Sequence, residues 1–337
     1  MSSRRLGAPA GLWIERARPV SFTFNGRRLT GLRGDTLASA LLANDVHLIG
    51  RSFKLHRPRG IWSCGPEEPS SLVDVGGGGR YTPNVRATLV PLTDGLEARS
   101  VNCWPGVGFD LGALTGAAAG LLPAGFYYKT FKWPNWRWYE PAIRRMAGMG
   151  RAPAGPDADR YEETAASVDV LVVGGGITGL TAALAAARAG AATLLLTSGA
   201  RPGGGLAWRD NQDVRELAGA AAAAGVRLLT GTIAFGIYDH NLVCAIETLC
   251  ADGASNPAPP VLRERLWKIR ARAVIAATGA FERPLLFADN DRPGVMLGGA
   301  AEKYARAYGV ACGQRAVIAA GCDSAYALAA GLRAAGI

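Results

Sequence analysis

The stretch VDVLVVGGGITGLTAALAAARAG, residues 168–190, constrains this chain more than any other. An apolar run leads into three glycines, and an alanine-rich helical pattern follows. The bare G-x-G-x-x-G pattern decides little. With 45 glycines in 337 residues, it is expected about once by chance. The setting decides more. Residues 168–173 form a continuous apolar run, as a buried parallel strand does. Residues 179–190 have helical spacing. Gly174 then allows the tight turn, Gly176 lets the backbone approach a pyrophosphate, and Gly179 lets helix pack on strand. The helix N-terminus offers free N–H groups and a positive dipole to phosphates. This predicts dinucleotide binding through Gly174, Gly175, Gly176, Thr178 and Gly179.

The pattern around this turn is α/β. After the helix come a strand at 192–197, a helix at 212–224, strands at 227–235 and 242–248, and a strand at 273–278. An acid normally ends the second strand and holds a ribose hydroxyl. Here Thr197 and Ser198 stand in its place, so Ser198 becomes the ribose candidate. Gly203, Gly204 and Gly205 either line the cofactor or form a flexible loop. In ATGA, residues 277–280, Thr278 and Gly279 suit either a backbone approach to the dinucleotide or a crossover turn. Residues 314–337 again read strand, turn, helix, with Gly321, Asp323 and Ser324 at the turn.

The N-terminal hundred residues differ. RPVSFTFNGRRLT carries the hairpin signal Asn25-Gly26. GDTLASALLAND reads as a short helix with Asp35 or Thr36 at its N-cap. With further strands near 84–96, these make a β-grasp-like module. Residues 103–150 concentrate aromatics that read as packing between domains. RAPAGPDADR reads as a linker. The expected domains are a ferredoxin-like module at 15–100, a connecting segment at 101–160, a Rossmann-like FAD/NAD-binding domain at 161–285, and the start of a second nucleotide-binding domain at 286–337.

The formal charge is +10, without a basic cluster interleaved with aromatics. That argues against nucleic acid and for acidic or phosphate-bearing partners. No apolar run is long enough for a signal peptide or membrane span. None of the six cysteines forms C-x-x-C, so no zinc ribbon is expected. Their long spacings suit reduced thiols and a cytoplasmic location. No catalytic constellation and no metal site is evident. Lys54, His56, Arg57 and Arg59 either face a phosphate or form a solvated basic loop, and Lys129, Arg144 and Arg145 share that ambiguity. Asp289 and Asp291 shape a turn.

Several phrases go further. GDTLASALLAND, GRSFKLHRPRGI, AGFYYKTFKWP, YEPAIRRMAGMG, ATGAFERPLLFADNDRPGVML and DSAYALAAGLRAAG resemble the N-terminal part of the alpha subunit of heterotetrameric sarcosine oxidase, from about residue 15 to 337. The resemblance implies a much longer subunit with a ferredoxin-like module, a two-dinucleotide-binding flavoprotein-like region and a folate-binding region, and a chain truncated before the last. It implies NAD on the alpha subunit, FAD and amine oxidation on the beta subunit, a covalent FMN shared between them, and gamma and delta partners. Sarcosine is demethylated to glycine with peroxide formation, and the one-carbon unit passes to tetrahydrofolate. Related opine oxidases and cyanide-forming glycine oxidases carry a 2Fe–2S module. Here Cys64 stands alone in GIWSCGPEEPSSL, Thr88 follows NVRA, and a cluster takes four thiolates, so a cluster-free scaffold is expected. The alternatives are an FAD-dependent opine- or proline-dehydrogenase-type subunit, or a non-catalytic scaffold. NAD is expected in the glycine turn, with FAD the alternative.

Overall fold

The computed structural model describes residues 4–116, 131–146, 148, 150–209, 211–249 and 261–337. Lys129, Cys250 and the side chain of Arg145 lie outside them. The chain divides into two compact units. One comprises residues 1–157, 253–256 and 282–337, and the other 158–252 and 257–281.

The first unit is built on a five-stranded sheet, in the order β2-β1-β7-β5-β6. β1 (Glu15–Phe24) and β2 (Arg27–Arg33) form the expected hairpin, with Asn25 and Gly26 both at positive φ. The pair β5 (Leu72–Val75) and β6 (Thr82–Arg86) joins β1 through β7 (Leu96–Ser100), which runs parallel to β1. The short helix Leu37–Ala43 is buried along its whole length. Thr36 caps it: its hydroxyl accepts from Ser39 N–H while the Ser39 hydroxyl accepts from Thr36 N–H. A two-stranded ribbon, β3 (Gly50–Arg51) and β4 (Pro58–Arg59), projects from this module.

Residues 286–337, expected to open a second nucleotide-binding domain, are grouped with this module. The helix Gly298–Tyr308 buries Tyr304, Ala305, Ala307 and Tyr308. Its neighbourhood grips the 62–64 loop: Leu297 N–H donates to Trp62 O, Tyr304 hydroxyl to Ser63 O and Lys303 Nζ to Cys64 O. The strand expected near 315–320 does not form, and Val317 is 99 % exposed. Its backbone finds no neighbouring strand among the described residues, and a lone strand has no ladder to join. Of the aromatics in the connecting segment, Trp133 and Trp138 are 83 % and 79 % exposed.

Arg57 ties the same segment to the β3–β4 ribbon. Its guanidinium donates to both carboxylate oxygens of Asp291, at 3.0 and 2.7 Å, and to Asp289 at 2.7 Å. Arg59 adds a 2.6 Å pair with Asp291. The hydrogen bond from Arg57 holds the Asp291 carboxyl below the usual carboxylate range, against its partial burial. A carboxyl depressed in the folded state contributes stability above its unfolded value, and that contribution disappears as pH falls through the folded value. Acid unfolding of Asp291→Asn should therefore show a shallower pH dependence below about pH 4 than the parent chain. Parallel acid titrations followed by circular dichroism check this, and superimposable curves would remove the linkage.

The second unit carries a six-stranded sheet, in the order β10-β9-β8-β13-β12-β11. β8 (Arg160–Val173) is flanked by β9 (Thr193–Leu196) and β13 (Leu262–Ala276), both parallel to it. β10 (Arg227–Leu229) extends β9, while β12 (Leu242–Thr248) and β11 (Thr232–Tyr238) add an antiparallel edge. The helices Ile177–Arg188 and Gln212–Ala223 cover one face through Val172, Leu180, Ala183, Leu195 and Val214. The stretch expected as one strand at 227–235 is two, broken at Thr230-Gly231, where Thr197 O turns to accept Thr232 N–H.

Candidate functional site: a glycine turn at the strand ends

β8 lies where the order reverses, with β9 and β10 on one side and β13 on the other. In such sheets ligands bind beyond the carboxyl ends of the strands at this point. Three segments meet there.

The first is the glycine turn. Gly174 has φ +114, and a Cβ on it would lie 2.2 Å from Ala277 O. Only glycine allows that approach. Gly179 is equally confined, since its Cβ would lie 1.8 Å from Gly174 O. This seats the helix directly on the turn. Gly175 is hemmed in by the Thr197 side chain. Gly176 is the exception. Nothing lies within 4 Å of the position its Cβ would take. It is the N-cap of the helix and supplies no side-chain cap. The helix N-terminus therefore has no side-chain cap and has open space beside Gly176, as a phosphate seat requires.

The second segment is the loop after β9. Gly203 N–H donates to Gly175 O at 2.7 Å, folding the loop onto the turn. Gly204, at φ +54, brings its Cβ position within 3.0 Å of Gly176 Cα, and Gly205 makes only an ordinary contact with Trp208. Ser198 is exposed at the end of β9, while Thr197 beside it is buried. Of the two hydroxyls, only that of Ser198 is open to a ligand. The third segment is the end of β13. Ala277 N–H donates to Val173 O, and Gly279 has φ +75 with open space around it. Thr178 and Thr278 are both exposed.

The structure thus gathers all ten predicted residues around one end of one sheet. Sequence reasoning missed Ala277 as a packing partner. It is the surface against which both Gly174 and Gly179 are fitted, and its signal was its place directly before Thr278. The basic cluster is taken apart instead: Arg57 and Arg59 are engaged by Asp289 and Asp291, so the reading of a merely solvated loop does not describe them.

Comparison with known proteins shows what the chain is similar to. Residues 17–103 match the family described as 2Fe-2S iron-sulfur cluster binding domain, and residues 169–232 match FAD dependent oxidoreductase. The chain is 50 % identical to sarcosine oxidase subunit alpha of Rhizobium meliloti, over 100 % of its own length and 35 % of that protein. This chain is homologous to the N-terminal part of sarcosine oxidase alpha subunits. The alpha subunit of a Corynebacterium sarcosine oxidase is 37 % identical over 96 % of this chain and 30 % of its own length. The chain therefore spans about a third of the curated relatives it matches. Among solved structures, L-proline dehydrogenase from P. horikoshii superposes with a TM-score of 0.57 at 21 % identity, over 91 % of this chain and 50 % of that one. That similarity concerns the fold. The α/β class with an α+β N-terminal module agrees with these matches, and both relatives and family model point to an oxidoreductase subunit.

One expectation is corrected. The N-terminal module matches an iron–sulfur cluster binding family, which overturns the expectation of a cluster-free scaffold. The match across the glycine turn is to an FAD family, which favours the FAD alternative over NAD there. The module's own residues fit a cluster poorly. Within 17–103 the thiols are those of Cys64 and Cys103, whereas a cluster takes four thiolates. Cys64 is buried beside Tyr304, and burial pushes its thiol up to about 11. Burial also raises the Cys103 thiol. Among the described residues no three His, Cys, Asp or Glu side chains are placed to hold a metal ion. No step is derived through a cluster. No described helix is long and apolar enough to cross a membrane.

Proposed function

We propose that this chain forms the N-terminal part of the alpha subunit of a sarcosine-oxidase-type complex and seats the ADP half of FAD on its glycine turn. The observation that carries this reading is Gly176: open space before an uncapped helix, ringed by Gly204 and the strand ends. The pyrophosphate is held by N–H groups at the start of the helix Ile177–Arg188, within Gly174, Gly175, Gly176, Thr178 and Gly179. Gly204 and Gly205 close over it, and Thr278 and Gly279 bring the β13 end alongside. Ser198 offers a neutral hydroxyl to the ribose where an acid is usual. Bound flavin would supply a hydride acceptor, and the residues of this chain bind and orient it. We assign no proton-transferring side chain here.

In the assembled enzyme, partner subunits of the beta, gamma and delta kinds complete the oxidation of sarcosine to glycine. The one-carbon unit passes to tetrahydrofolate elsewhere in the complex. The free cysteines among the described residues fit a reducing, cytoplasmic setting.

Gly176→Val tests the reading. Its φ is −74, which any residue adopts, and the new side chain enters open space. The variant should keep the parent's melting temperature but lose the visible absorption acquired on titration with FAD. Unchanged binding would remove the turn from the site. A parent chain that binds no flavin would overturn the FAD reading.

A further inference from the structure

We propose that His56 is the centre of an oxyanion-binding site in the N-terminal unit, taking a phosphate or carboxylate group. It goes beyond the dinucleotide site and rests on different residues. The geometry is that of a carboxylate-oriented imidazole. Asp110 has a fully buried side chain. One of its oxygens accepts N–H groups from Trp104 at 2.9 Å and Gly112 at 3.0 Å, and the other lies 2.7 Å from His56 Nδ1. Burial works against its charge, but the Trp104, His56 and Gly112 donors outweigh it and hold the carboxyl below the usual range. A charged Asp110 fixes a proton on Nδ1 and orients the ring.

The ring is held as firmly as its partner. His56 has φ +51, in the left-handed region. Its N–H donates to Ser52 O at 3.0 Å, and its carbonyl accepts from Arg51 Nη1 at 3.1 Å. Gly112 lies flat against the imidazole, since a Cβ there would come 2.2 Å from it. Nε2 is the part left over. It has no hydrogen-bond partner among the described residues, and the His56 side chain is 12 % exposed. A strained backbone, a buried orienting carboxylate and an unpartnered, partly exposed ring edge together are more than a latch between two loops requires.

The charges around Nε2 select an anion. Arg51 spends its guanidinium on the carbonyls of Val107 and His56, so no carboxylate neutralises it. Arg57 is neutralised by Asp289 and Asp291, Asp110 is the acid facing the ring, and Cys103 nearby carries a raised thiol pKa and stays neutral. An imidazolium N–H backed by Asp110 makes a charge-assisted bond to an anionic oxygen.

The chain has three histidines, so nitrogen-15 labelling of histidine gives a spectrum in which one imidazole can be followed. Inorganic phosphate and, separately, acetate are titrated at pH 6 and pH 8. A saturable shift confined to His56 is expected, tighter at pH 6 and about tenfold weaker in Asp110→Asn. The unchanged His47 and His240 signals report that the variant is folded. Tighter phosphate binding assigns the site to a phosphorylated small molecule, and tighter acetate binding to a carboxylate. Absence of a saturable shift with both anions, or an equal affinity in Asp110→Asn, overturns the site.

Discussion

Glu68→Ala is expected to destabilise the N-terminal unit by about 3–5 kcal/mol, the range for stripping a partner from buried charged hydrogen bonds. The carboxylate is fully buried in the 61–71 loop. One oxygen accepts from Trp62 and Ser63 N–H at 2.9 and 2.6 Å, and the other from Ser70 and Ser71 N–H at 2.7 and 2.9 Å. Alanine leaves four inward-pointing donors without an acceptor, each costing about 1–3 kcal/mol if nothing replaces it. Local relaxation and entering water recover part of that. The carbonyls of Trp62, Ser63 and Cys64 are engaged by Leu297, Tyr304 and Lys303, so the loop has little freedom to collapse. Glu68→Gln should fall between parent and alanine, because its amide nitrogen faces two donors while its oxygen still serves the other two. Urea unfolding of the three proteins measures this. A change below about 1 kcal/mol for alanine, the scale of an ordinary surface substitution, would show that the carboxylate does not organise the loop.

The second large effect is expected at Gly174. Alanine there must adopt φ +114 with its Cβ 2.2 Å from Ala277 O. Left-handed strain and overpacking each cost about 1–3 kcal/mol, so a total of about 2–6 kcal/mol is expected. The β8 end would have to move away from the β13 end, and dinucleotide binding should be lost with it. Gly174→Ala and Gly176→Val thus separate two failures that a binding assay alone confuses. The first lowers the denaturation midpoint and abolishes binding, while the second abolishes binding at an unchanged midpoint. Equal midpoints for Gly174→Ala and the parent would mean that the close approach to Ala277 is not maintained in solution.

The contrast between these glycines marks where the sequence ceases to speak. The pattern at 174–179 announces a turn and a helix, because strand and helix periodicities meet at that point. It treats Gly174, Gly176 and Gly179 alike. In the structure two of them are filled against Ala277 and the turn itself, and one faces open space. Which glycine is packed and which is left open depends on the β13 end, about a hundred residues away in the chain. Likewise SFKLHRPRG displays its charges without their partners. Asp110, Asp289 and Asp291 are distant in sequence, and no local rule pairs them with His56 and Arg57.

By itself the sequence determined the local elements: the Asn25-Gly26 hairpin, the Thr36-capped helix, the β8–glycine turn–helix unit, and the hydroxyls of Thr197 and Ser198 at the end of β9. These follow from side-chain periodicity and backbone preference, which act over a few residues. Tertiary structure alone decided that residues 282–337 pack with the N-terminal module, that the 315–320 stretch finds no strand to pair with, and that Glu68 gathers four backbone donors. Each of these depends on which distant groups come within hydrogen-bonding reach. That is a property of the folded chain's contacts, and short-range pattern does not encode it.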